Sequence, residues 1–186
     1  MITFLSLPLK KQLAFGLLIF ERMLPSLVSF SRDTGRDSAC FLKGRDVVWT
    51  ELANNHGPVS TQRLREECDG NIPDTEEFSH RLTSFALNAA LTMTELLDFI
   101  ADRSTKHISY ISSLATDSAD LCASGLLDGA HSAQRDANLI SHPLIQKELR
   151  TQPEDLWFLF RLPEEFDDEA LAALKNRAMH QASLIP

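Results

Sequence analysis

An all-α fold in a single domain is what this sequence predicts, and three observations carry the expectation. Between Phe78 and Asp102 the apolar residues Leu82, Ala86, Ala89, Met93, Leu96 and Ile100 recur at alternating spacings of four and three, the period of a helix seam. No stretch alternates apolar and polar residues as a half-buried strand does. Prolines, glycines and capping side chains divide the remainder into segments of helical length. The expected architecture is a bundle of about seven or eight helices around a long helical hairpin, spanning roughly 74–102 and 104–125.

Taken in order, Pro8 fits the first turn of a helix from about Leu9 to Leu24, because the amide it lacks would have no partner inside the helix. Pro25 would clash with the carbonyl of Glu21, so the chain is expected to restart there, with Leu27, Val28 and Phe30 in a short second piece that stops at Gly35. Asp37 or Ser38 caps a third helix, in which Phe41, Val48 and Leu52 share a face with Gly44, a residue that permits close backbone approach. Asn54, Asn55, Gly57 and Pro58 end it. Leu64, Cys68 and Ile72 mark a short fourth helix that closes between Gly70 and Pro73.

Asp74 and Glu77 have the spacing of a capping box and would start the central helix, where Leu87, Ala90, Leu91 and Leu97 add a second apolar row. It ends near Arg103. Ser104 or Thr105 then caps a helix carrying Ile108, Ile111, Leu114, Ala115, Leu121 and Cys122 as far as Gly125. From Leu126 to His142 the residues turn small and polar and read as a loop. Pro143 starts a helix with Leu144, Ile145, Leu149, Leu156, Trp157 and Phe160, which Pro153 should kink or divide. Pro163 and the carboxylates Glu164, Glu165, Asp167, Asp168 and Glu169 lead into a last helix with Leu171, Leu174 and Ala178.

The 186 residues suffice for one well-buried core. Net charge is -8, which repels a phosphate backbone at long range, and the basic residues Arg32, Arg36, Lys43, Arg45, Arg63 and Arg65 are interrupted by acids or followed by them. Neither nucleic acid nor membrane is expected as a partner. Lys10 and Lys11 precede an apolar run from Leu13 to Phe20, but Glu21 and Arg22 follow it where a cleavage site would stand, so the run reads as a buried helix. Cys40, Cys68 and Cys122 show no paired spacing, which fits a reduced, cytoplasmic compartment.

No glycine-rich phosphate loop, serine hydrolase elbow or paired Cys/His spacing is present, and no catalytic residue can be named. Glu77-Phe78-Ser79-His80 has the E-x-x-H form of helical di-iron ligands. Its nearest second copy, Asp128 to His131, carries an aspartate and a glycine, so the fragment reads as helix capping, and no metal or cofactor is expected. A more informative set is Glu21 and Arg22 at the end of an apolar helix, with Asn88, Thr92 and Glu95 in a polar row on the central one. A buried carboxylate needs a partner, and Arg22 could supply it. Glu21, Arg22, Asn88 and Glu95 would then line a small polar pocket between helices, with Glu95 or Glu21 as acid, base or ligand anchor. A structural ion pair or a solvated row is the other reading. Trp49, Trp157 and Phe158 read as core or interface anchors.

Glu21-Arg22-Met23-Leu24-Pro25, Ile72-Pro73-Asp74 with Phe78, and Ala86-Leu87-Asn88-Ala89-Ala90-Leu91 through Thr94-Glu95-Leu96 resemble the YjaG-like bacterial proteins, a family of unknown function. The likeness runs from about Lys11 to the last helix. It implies an all-helical cytosolic protein of one domain and brings no activity, cofactor or catalytic residue. The expectation is a helical protein that acts through contacts with itself or with a protein partner. The alternative is a small-metabolite-binding protein or enzyme that uses the polar pocket.

Overall fold

The longest helix, α1 (Leu9–Thr34), is the hub of the bundle. Every residue from Lys11 to Phe20 is buried, and the helix packs against most of the others. The computed structural model describes residues 2–53, 60–126, 139 and 141–181. After a short 3-10 turn (Phe4–Ser6) and α1 come α2 (Ala39–Ala53), α3 (Gln62–Asp69), α4 (Thr83–Asp102), α5 (Thr105–Leu126), α6 (Pro143–Arg161) and α7 (Asp168–His180). No strand occurs among the described residues, and the fold is all-α as expected. One apolar core joins these helices, with Phe15, Phe20, Phe30, Phe41 and Phe99 fully buried in it.

Two boundaries differ from the expectation. Pro25 does not end α1, which continues to Gly35, a left-handed cap at φ 74° whose amide donates to the Ser31 carbonyl at 2.9 Å. Pro25 lies on the exposed side, so the hydrogen bond it removes is lost toward solvent, while Met23, Leu27 and Phe30 keep the far side in the core. Pro153 is likewise exposed within α6, which is not divided. The second difference is the start of α4 at Thr83 rather than near Asp74. The Asp74 carboxylate accepts from the amide of Glu76, two residues on, at 2.8 Å, which closes a local turn in place of a helix cap. Phe78 then inserts against Phe30, with ring centroids 5.3 Å apart and an interplanar angle of 80°, and Thr83 donates to the His80 carbonyl at 2.7 Å. The expected stop at Asn54, Asn55, Gly57 and Pro58 and most of the expected loop from Leu126 to His142 lie outside the described residues, while Leu126 itself belongs to α5.

The other starts follow the sequence. Asp37 accepts from the amide of Ala39 at 2.8 Å, Pro143 opens α6, and Asp167 caps α7 by accepting from Ala170 at 2.8 Å. Helices α1 and α4 are each long and apolar enough to cross a membrane by length and composition. Burial inside the bundle covers 78% and 61% of their apolar windows, respectively.

Close packing around α4 depends on two glycines. A Cβ on Gly16 of α1 would stand 2.8 Å from Leu96 Cδ2, and one on Gly44 of α2 would stand 2.6 Å from Met93 Sδ. Gly44→Val should therefore lower stability by about 1–3 kcal/mol through overpacking, read by chemical denaturation. Gly125→Ala, where the added methyl meets nothing within 4 Å, should leave stability unchanged or raise it.

Candidate functional site

Arg22 lies in the middle of α1 and is only 3% exposed, so its guanidinium has to find compensating charge inside the protein. Two carboxylates of α6 provide it. Nη2 donates to Glu148 Oε1 at 2.7 Å and Nη1 to Asp155 Oδ2 at 2.7 Å, with further bonds from Nη1 to the Leu18 carbonyl at 3.3 Å and to Gln181 Oε1 at 2.9 Å. Glu148 and Asp155 are themselves buried, and their spacing of seven puts both on the side of α6 that faces α1. Asp155 Oδ1 also accepts from Arg177 Nε of α7 at 2.7 Å and from the Gln181 amide. Burial pushes the Asp155 carboxyl above its ordinary range, against the pull of Arg22 and Arg177. Gln152 extends the network to α5: its amide donates to Glu148 Oε1 at 3.1 Å and to the Ser112 carbonyl at 3.1 Å.

Above this network lies a cleft of about 440 Å³ between α6 and α7, with Arg22 of α1 among its lining. Lys147, Thr151, Glu154 and Phe158 form one wall at successive turns of α6, and Asn176, Arg177 and His180 form the other on α7. Arg22 and Arg177 are matched by Glu148 and Asp155. Lys147 and Glu154 have no ion-pair partner among the described residues. Arg22 Nε is buried without an acceptor.

The residues expected to line one pocket occupy four separate places. Arg22 alone is in the cleft, and its partners are Glu148 and Asp155 rather than Glu21 or Glu95. Adjacent residues of a helix point about 100° apart, so Glu21 faces another side, where its carboxylate accepts from Trp49 Nε1 at 3.0 Å. Asn88 donates to Ser118 Oγ of α5 at 3.0 Å. Glu95 Oε2 lies 2.6 Å from His107 Nδ1, and Asp102 Oδ2 lies 3.2 Å from His107 Nε2. Burial opposes charge on His107, but the bonds to Glu95 and Asp102 outweigh it and raise its pKa above the ordinary value. Glu77 and His80 do not share a site: Glu77 pairs with Arg36 at 3.3 Å, and His80 Nδ1 accepts from the Leu82 amide at 3.3 Å.

The cleft carboxylates escaped the sequence reading because they lie 126 and 133 residues from Arg22 along the chain. A usable signal was present: Glu148, Gln152 and Asp155 recur at helical spacing beside the apolar Ile145, Leu156 and Leu159, so α6 has polar residues on its inward side. On its outer side, Leu149, Trp157 and Phe160 are exposed, with the two rings edge to face at 5.9 Å. Truncating one carboxylate leaves a buried guanidinium undercompensated, so Asp155→Ala should cost about 3–5 kcal/mol in denaturation experiments.

This arrangement can be set beside proteins of similar sequence and shape. A family profile described as "Protein of unknown function (DUF416)" matches residues 4–183. The uncharacterized protein YjaG of Escherichia coli (strain K12) is 21% identical over 168 residues, covering 89% of this chain and 82% of that protein. The crystal structure of a DUF416 family protein from Shewanella baltica OS155 superposes with a TM-score of 0.84 at 18% identity, covering 96% of this chain and 93% of the other. At that identity the likeness speaks to the fold. The profile takes in every helix from α1, with its buried Arg22, to α7 at the far wall of the cleft, and the chain belongs to the DUF416 family of proteins of unknown function.

Proposed function

We propose that this protein binds a small polar metabolite, zwitterionic in its charge pattern, in the cleft between α6 and α7. The observation that carries the reading is Arg22: a guanidinium 3% exposed, fixed by two buried carboxylates, at an open cleft whose walls carry Lys147 and Glu154. The volume of about 440 Å³ suits a small molecule. With both guanidiniums already matched by carboxylates, Lys147 and Glu154 are the charges free to meet one anionic and one cationic group.

A thermal-shift panel of amino acids, hydroxy acids, sugar phosphates and nucleotides tests this. One class should raise the melting temperature, with about 2.7 kcal/mol of stabilisation at a hundredfold excess over its dissociation constant. Lys147→Ala combined with Glu154→Gln should weaken that response roughly tenfold or more, about 1.4 kcal/mol, without changing the fold. A flat panel, or a response the double variant leaves intact, removes the reading.

The exposed row of Leu149, Trp157 and Phe160 favours a second reading, in which the outer face of α6 contacts another copy or a protein partner. Sedimentation equilibrium at high protein concentration should then show a dimer that Trp157→Ser with Phe160→Ser dissociates. A monomer under those conditions excludes self-association through this face.

A further inference from the structure

Away from the cleft, the α4–α5 hairpin gathers three side chains of the kinds that bind metals. Glu95 and Asp98 share a face of α4, and His107 comes across from the first turn of α5. One oxygen of each carboxylate and one imidazole nitrogen lie within 4.8 Å of one another. The connection that makes this possible is short. Arg103 adopts the left-handed conformation at φ 57°, its amide closing α4 on the Phe99 carbonyl at 2.9 Å, and α5 begins two residues later. The Glu95 and Asp98 side chains are 19% and 33% exposed, so the cluster opens to solvent.

The orientation of His107 distinguishes this cluster from a group of surface acids. Its Nδ1 faces Glu95 Oε2 at 2.6 Å, and its Nε2 faces Asp102 Oδ2 at 3.2 Å. Asp102 is held in turn by the Ser104 amide, which donates to its Oδ1 at 2.8 Å. A neutral imidazole carries one N–H, yet here both nitrogens meet acceptor oxygens. A proton on each nitrogen satisfies both contacts, and a metal ion can take the place of the Nδ1 proton between His107 and Glu95 while Nε2–H still donates to Asp102. A carboxylate behind the far nitrogen is also the usual support of a metal-bound histidine.

We propose that Glu95, Asp98 and His107 bind one divalent transition-metal ion, with Asp102 as the outer carboxylate that fixes the ring. One imidazole and two carboxylates suit Zn²⁺ or Mn²⁺ better than Mg²⁺ or Ca²⁺, which favour all-oxygen sites. Bonds of about 2.1 Å place neighbouring donors about 3.4 Å apart in a tetrahedral site. The Glu95–His107 contact opens slightly to admit the ion, and Asp98 closes toward it. Asp98 keeps its bond to Arg65, whose Nε donates to Oδ2 at 3.0 Å, and offers the other oxygen. Three protein ligands leave a fourth position free on the solvent side.

The test is calorimetric titration of the metal-stripped full chain with Zn²⁺ or Mn²⁺ salts alone. One ion per chain is expected, with binding lost in His107→Gln and weakened about 10–100-fold in Asp102→Asn. Since His107 is largely buried, Glu95→Gln with a circular dichroism check serves as the second variant. The imidazole ¹⁵N spectrum of the unaltered chain is the third readout, and Zn²⁺ should move the Nδ1 resonance of His107 far more than Nε2. The proposal is overturned by the absence of saturable binding. Undiminished affinity in a folded His107→Gln or Glu95→Gln variant, or a His107 spectrum that ignores the ion, overturns it equally.

Discussion

Taking one guanidinium out of water in the middle of the most buried helix is the constraint on which the rest of the bundle depends. Removing such an ion from water costs several kcal/mol, and only close, well-directed opposite charge recovers it. Arg22 obtains two carboxylates from α6, and the nearer of these to the last helix, Asp155, is shared with Arg177 of α7. Glu148 is tied through Gln152 to α5. Four helices separated widely in sequence are thus joined through groups that can be satisfied only together. Apolar packing favours burial in general; this network selects which residues of α6 face inward.

Helix α6 consequently has three different sides. Glu148, Gln152, Asp155, Leu156 and Leu159 face the interior, Lys147, Thr151, Glu154 and Phe158 line the cleft, and Leu149, Trp157 and Phe160 remain exposed. Because successive residues are offset by about 100°, rotating the helix to bury its aromatic row would carry Glu148 and Asp155 away from Arg22. The polar network therefore leaves the aromatic row on the surface. The contact reading and the ligand reading draw on different faces of the same helix.

Much of the architecture was legible from local chemistry. The cap at Asp37, the helix start at Pro143, the left-handed stop at Gly35 and the close approach at Gly44 depend on a few neighbouring residues or on a helix face, and all four are found. The failures were of two kinds. At Pro25 a local rule was overridden by burial of the surrounding side chains, and at Asp74 two local hydrogen-bonding patterns competed and the shorter turn prevailed. The cleft was illegible for a different reason. Arg22 was recognisable as a possible partner for a buried carboxylate, but nothing in a single sequence says that residues 148 and 155 meet residue 22. Glu95 and His107 were closer to hand, only twelve positions apart across a recognised hairpin turn, and superposing the first turn of α5 on the last turns of α4 would have paired them.

Lys11 also acquires a larger meaning beside Arg22. Its buried ammonium donates to the carbonyl of Leu162 at 2.6 Å and that of Phe160 at 3.3 Å, at the end of α6, and burial lowers its pKa although Glu164 nearby works the other way. Lys11 and Arg22 lie on the same helix, about 16 Å apart along its axis. Apolar ridges alone tolerate a slip of one helical turn, since one leucine can occupy much the same groove as another. Two cations at a fixed separation, each meeting its own oxygens on an antiparallel neighbour, match at a single longitudinal offset. The pair therefore works as a vernier that sets where α6 stops along α1, and with it the depth and length of the cleft.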